Sequence, residues 1–205
     1  EIFPAIKKYG MKVGVGGHNW LRFVSTETPG YNKDTWGIVK NGVRLDVGPA
    51  TQFCLTGKTS DEPGPAKIAF IQNVIQFVKT YDLDIIGPWP NDGGAWSEGS
   101  VDLERSKEYR YIELFNDLVE ALNAEAEDVT SPLYGKKIPV LMMAYGNLKD
   151  PPPEGESSIQ PHDDIILLFT PWGRDYKQPF YSSVFDGQLL KWKDYFEQSE
   201  TGADR

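Results

Sequence analysis

Residues 83–96 read Leu-Asp-Ile-Ile-Gly-Pro-Trp-Pro-Asn-Asp-Gly-Gly-Ala-Trp. The first half, residues 83–89, is a short apolar run, and Pro-Asn-Asp-Gly-Gly then stops it with residues that favour turns. Its hydrophobicity is near-continuous rather than alternating, the pattern of a parallel strand covered on both faces. Four further runs share this form, at residues 12–16, 51–55, 138–145 and 164–170. Between them the apolar spacing turns helical. Ile68, Ile71, Val74, Ile75 and Val78 form a stripe over about 66–80, with Ser60, Asp61 and Glu62 just upstream as capping and first-turn residues. Tyr111, Phe115, Leu118, Val119 and Leu122 do the same over about 103–126, and Phe185, Leu189, Trp192 and Phe196 over about 184–198. Strand then helix, repeated, implies βα units and a parallel sheet of the α/β class.

Composition narrows the function classes. A chain of 205 residues that is 40% hydrophobic and 13% aromatic can bury a real core. One cysteine excludes an internal disulfide framework and a cysteine-rich zinc site. A net charge of −9 argues against a nucleic-acid surface, which needs clustered Lys and Arg. No stretch approaches the apolar length that spans a bilayer, so membrane insertion is not expected. Gly14-Val15-Gly16-Gly17 opens no helix pattern and is not a nucleotide-binding loop. No metal-ligand spacing and no cofactor motif stand out. The first nine residues read like the middle of a helix with Gly10 as its C-cap, not like a secretory signal. Residues 42–47 read as a small hairpin with the segment after them, and residues 149–161, rich in Pro and Glu, as a surface loop. No fixed-period repeat or domain boundary is visible, which makes residues 1–205 one unit.

In parallel α/β folds the chemistry collects at the carboxyl ends of the strands. Past the first run come His18, Asn19 and Trp20; past the third, Trp89, Asn91, Asp92 and Trp96. Past the fourth come Tyr145, Gly146 and Asn147; past the fifth, Trp172, Arg174, Asp175 and Tyr176. Aromatic rings stack on the apolar faces of sugars, and Asn, Asp, His and Arg bond the hydroxyls, so the combination describes a ligand pocket for a glycan. Each residue also has a plain alternative. A tryptophan can plug a barrel top, Asn-Asp-Gly-Gly can be only a turn, and Arg174 with Asp175 can be a local ion pair.

The order Gly16-Gly17-His18-Asn19-Trp20, Gln52-Phe53-Cys54-Leu55-Thr56, Trp89 to Trp96, Met143-Ala144-Tyr145 with prolines 151–153, and Arg174-Asp175-Tyr176 ahead of Trp192 resembles the DUF4838 family. That is a domain family of unknown function grouped with glycoside-hydrolase TIM barrels. The resemblance implies a (β/α)₈ TIM barrel of carbohydrate-active type, typical of secreted or cell-envelope bacterial proteins. One feature departs. Members often carry a Cys-x-Cys-x-x-Cys-like cluster after Asn-Asp-Gly, whereas this chain reads Trp96-Ser97-Glu98-Gly99-Ser100. A full barrel takes about 250 residues and eight strands. Five expected strands therefore suggest the central part of a barrel within a longer chain.

Glycoside hydrolysis usually needs two carboxyl groups, one of which protonates the leaving oxygen. Asp92 is the expected general acid, because burial between Trp89 and Trp96 would raise its affinity for a proton. Glu98 is the candidate for the second carboxylate, with Asp175 behind it. Asn91 would bond a hydroxyl or orient a substrate acetamido group. His18, Asn19, Trp20, Trp89, Trp96, Tyr145, Trp172, Arg174 and Asp175 complete the expected sugar-binding set. Arg174 would suit a uronate through a bidentate contact. The alternative reading is a non-catalytic carbohydrate-binding barrel, favoured by the lack of an obvious carboxylate pair at one strand end.

Overall fold

A computed structural model describes residues 2–156, 158–170, 177 and 183–200. In chain order the elements are α1 (Ile2–Lys8), β1 (Gly14–His18), α2 (Trp20–Phe23), α3 (Lys33–Trp36), β2 (Ile38–Lys40), β3 (Val43–Leu45), α4 (Pro65–Tyr81), β4 (Ile85–Trp89), α5 (Lys107–Glu127), β5 (Val140–Ala144), β6 (Ile165–Phe169) and α6 (Ser183–Glu200). The four strands β1, β4, β5 and β6 pair in that order, all parallel. The fold is mixed α/β on a parallel sheet, as the alternating pattern of runs implies.

The register assigns side chains to two faces. Val15 pairs with Ile86, Ile86 with Val140, and Val140 with Ile165, so these four share a face. Ile86, Val140, Met142, Ala144 and Ile165 on that side are buried. They join the inward stripe of α5 (Tyr111, Phe115, Leu118, Val119, Leu122), which is buried along its whole length as its spacing predicts. The other face carries Gly14, Gly16, His18, Ile85, Gly87, Trp89, Leu141, Ile166 and Leu168. Ile166 is 48% exposed and Leu168 41%. The expectation that continuous hydrophobicity means cover on both faces thus holds, among the described residues, for one face only. Trp89 lies back across this second face and donates its indole N–H to the Leu141 carbonyl at 3.0 Å. Gly87 makes room for it, since a Cβ there would come within 2.9 Å of the indole nitrogen.

Other expectations change. Residues 51–55 are fully buried but add no strand to the sheet. Thr51 forms a lone bridge to Ala95, the Cys54 N–H donates to the Trp36 carbonyl, and the Leu55 carbonyl accepts from Gly64 N–H. Their apolarity reported burial, while the backbone groups find partners on three separate segments. The hairpin pairs residues 43–45 with the residues before them, not with those after them as expected. Ile38 to Lys40 pairs with Val43 to Leu45 around Asn41-Gly42, both at positive φ (51° and 74°), the arrangement a two-residue primed turn requires. In α4 the buried line is Ala66, Phe70, Val74 and Val78 at four-residue spacing, and Ile68 is exposed. Beside it the Lys67 ammonium is buried between Glu113 at 2.8 Å and Asp117 at 2.7 Å, both on α5. In α6, Trp192 and Tyr195 are buried while Leu189 is exposed, and the Phe185 side chain lies outside the described residues.

Among the described residues no helix is long and apolar enough to cross a membrane. Among them, too, no group of three His, Cys, Asp or Glu side chains is placed to hold a metal ion.

Candidate functional site

The carboxyl ends of β1, β4 and β5 surround a cleft of about 390 Å³. His18 ends β1, Asn91 to Gly93 follow β4, and Tyr145 to Asn147 follow β5. Met143, on the same sheet face as Trp89, also lines it. Parallel strands deliver all these groups to one edge because their chain direction is shared.

His18 is held in one orientation. Its Nδ1 lies 2.5 Å from the Pro90 carbonyl, which can only accept, so Nδ1 carries the proton. Nε2 is then left as an acceptor in the neutral ring. The imidazole stands 5.7 Å from the Tyr145 ring and 6.1 Å from the Trp89 ring, centroid to centroid. Three aromatic side chains from three neighbouring strand ends therefore meet beside the cleft.

The turn after β4 is stapled from a distance. Gln52, fully buried, donates from Nε2 to the Asn91 carbonyl at 2.9 Å and the Gly94 carbonyl at 3.2 Å, and its Oε1 accepts from Asn91 N–H at 3.0 Å. Asn91 answers with its own amide, donating to the Thr51 carbonyl at 2.8 Å and the Gly48 carbonyl at 3.2 Å. Both Nδ2 hydrogens are thus committed to backbone, so Asn91 acts first as a latch on this turn. Asp92 and Gly93 stand exposed at its tip, with Gly93 in the left-handed region at φ 67°.

Placement separates the expected site residues into groups. His18, Asn91, Asp92 and Tyr145 line the cleft. Trp89 borders it through His18. Trp20 does not reach it. Its side chain is fully buried against Phe53, Phe70, Trp96 and Tyr111, and its indole N–H donates to the Pro88 carbonyl at 2.7 Å. Trp96 turns inward beside it and is 7% exposed. Trp20 is a core residue with no face left for a sugar, and Trp96, largely buried, gives Asp92 no cover. Asn19 does not line the cleft, and its Oδ1 is buried without a partner. Glu98 lies outside the cleft, where it ion-pairs with Lys40. The Lys40 ammonium and the Asn41 N–H hold the Glu98 carboxyl below its ordinary range. Trp172, Arg174 and Asp175 lie outside the described residues.

Two cleft residues escaped the sequence reading as site residues. Gln52 sits 39 positions from Asn91, and nothing local marks it. Asn147 follows β5 as the expected strand-end pattern would have it, on a 3₁₀ turn begun by Gly146. Replacing Gln52 with alanine strips the Gly94 carbonyl and the Asn91 N–H of their partner and leaves the Asn91 carbonyl only its bond from the Gly94 N–H. The expected loss is about 2–3 kcal/mol in denaturant unfolding, with faster hydrogen exchange at the Asn91 amide.

A comparison with family models, curated proteins and solved structures returns no match for this chain.

Proposed function

We propose that this chain is a carbohydrate-active domain that holds a glycan in the cleft at the ends of β1, β4 and β5 and hydrolyses a glycosidic bond with Asp92 as the proton donor. The observation that carries this reading is the meeting of His18, Trp89 and Tyr145 rings with the polar groups of Asp92 and Asn147 at one strand-end edge. Rings of this kind stack on sugar faces, and the polar groups take the hydroxyls.

The fold we propose is the wall of a (β/α)₈ barrel of glycoside-hydrolase type, the kind of fold the DUF4838 resemblance implies. The sheet order supports it. Each strand is added on the same side of its predecessor, as in a barrel, and not with the reversal of a doubly wound sheet. Right-handed crossovers then put the helices on one face, and the open second face corresponds to a barrel interior.

A second reading has its own support. Asp92 is exposed and is the only carboxylate among the described residues lining the cleft. The usual two-carboxylate mechanism needs a partner group for it, and Glu98 is tied to Lys40 outside the cleft. A substrate acetamido group could replace that partner. A non-catalytic glycan-binding domain needs none.

A panel of oligosaccharides and aryl glycosides, with uronides and N-acetylhexosaminides included, decides between them. Turnover is expected under the hydrolase reading. Binding without turnover selects the binding domain, and neither binding nor turnover removes both.

A further inference from the structure

A second cleft of about 610 Å³ adjoins the first, and Gly93 and Asn147 line both. Its charged lining is Lys40, Arg105, Lys107 and Arg110 against Glu98 and Glu108. Three of the four cations have a close carboxylate, Lys40 with Glu98, Lys107 with Glu108 and Arg110 with Asp102, which leaves Arg105 the least compensated charge on this flank. Two buried donors in this lining have no acceptor, the Trp96 indole N–H and Arg105 Nε. Both are N–H groups, the polarity that the oxygens of an anion satisfy.

We propose that this second cleft is an anion subsite that takes the carboxylate or sulfate group of an acidic sugar, extending the glycan cleft beside it. The proposal rests on the glycan reading above and names its substrate class. Arg105 is the principal contact. Its nearest carboxylate, Asp61, stands at 3.7 Å, too long for a hydrogen bond, and its guanidinium lies over the Tyr109 ring, 5.1 Å from its centroid. A planar fork held on an aromatic face suits a two-oxygen partner. Lys107 and Lys40 pair with Glu108 and Glu98. Such part-exposed pairs are weak, so a ligand oxygen can join or displace them at small cost. Arg110 is committed to Asp102 at 3.2 Å and stays behind the site.

The test is a titration followed by the Trp96 indole ¹H–¹⁵N resonance. The probes are a glucuronate-containing disaccharide, its neutral glucose counterpart, a sulfate-ester disaccharide and inorganic sulfate alone. The acidic sugars are expected to move the Trp96 resonance and to bind tighter than the neutral one. Arg105→Gln is expected to weaken them about tenfold or more, Lys107→Gln by less, with added salt weakening the wild type. The uronate and sulfate-ester arms show which anion the subsite prefers. Equal binding of neutral and acidic sugars, or unchanged affinity in both variants, overturns the subsite and leaves the glycan reading standing. A Trp96 shift with inorganic sulfate but no binding of any sugar keeps an anion site and removes the glycan reading. No response to any probe overturns both.

Discussion

In a wild-type protein that turns over a glycan, Asp92→Asn is expected to lower kcat by about 10²–10⁴-fold, the usual worth of a positioned acid. The amide keeps the shape and hydrogen-bonding reach of the side chain but has no proton to give. The variant is expected to fold, because Asp92 stands exposed at the tip of a turn whose conformation is set by Gln52 and Asn91. A substrate with an activated aryl leaving group needs less protonation, so its turnover should fall much less than that of a natural linkage. Comparing the two substrate types in one variant is the informative measurement. An equal fall for both would assign Asp92 to binding, and no fall for either would remove it from the reaction. Its exposure is the physical difficulty, since an acid at neutral pH is ordinarily kept protonated by burial. A bound sugar would have to supply the cover that Trp96, turned into the core, does not.

Asp102→Ala is expected to produce the largest loss of stability, about 3–5 kcal/mol in denaturant unfolding. Asp102 is buried and accepts from Ser97 Oγ at 2.6 Å, Thr56 Oγ1 at 2.7 Å and Arg110 at 3.2 Å. The Cys54 thiol sits 3.6 Å away, and burial followed by the Asp102 charge pushes its pKa up. Alanine would leave the buried Arg110 guanidinium without a counter-ion and two hydroxyls without their acceptor. Burial already pushes the Arg110 pKa down, and the Asp102 charge is the chief influence opposing that. The loss should therefore belong to the stranded cation more than to the missing carboxylate. The double variant Asp102→Leu with Arg110→Met tests this. It is expected to be more stable than Asp102→Ala alone, because a buried ion pair exchanged for apolar groups is often neutral. The cluster ties the buried segment around Cys54 to the start of α5, near the turn that carries the cleft. Asp102→Ala should also loosen that region, measured as faster hydrogen exchange at Ser97.

Several parts of this structure were open to reading without coordinates. The stripe of α5 was legible because five apolar side chains at three- and four-residue spacing admit one buried face. In α4 the helix was legible but its inward line was not. Ile68, Ile71 and Ile75 compete with Ala66 and Phe70, and only packing chooses between overlapping stripes. The strands at 85–89, 140–144 and 165–169 were legible from apolar runs closed by turn residues, whereas the first, expected at 12–16, lies at 14–18 because its glycines carry no apolar signal. Residues 51–55 share that composition and are no part of the sheet, because composition reports burial and a ladder requires a neighbour. The Asn41-Gly42 turn carried a readable signal, a pair that accepts positive φ, and it pairs Val43–Leu45 with Ile38–Lys40 rather than with the segment that follows.

Two features were legible in the residues alone: the parallel α/β class, and the gathering of polar and aromatic residues where β1, β4 and β5 end. Both follow from local rules, since a run of apolar side chains and the turn that closes it are set by neighbours in the chain. Which of those residues face the cleft depends on long-range packing. Trp20 and Trp96 went to the core and His18, Asp92 and Tyr145 to the opening, although all five lie at or just past strand ends. Past the last strand residue the side-chain direction no longer alternates. It is fixed by turn geometry and by partners such as Gln52, which reaches Asn91 across 39 residues. Contacts of that range depend on how the segments pack, and no local pattern encodes them.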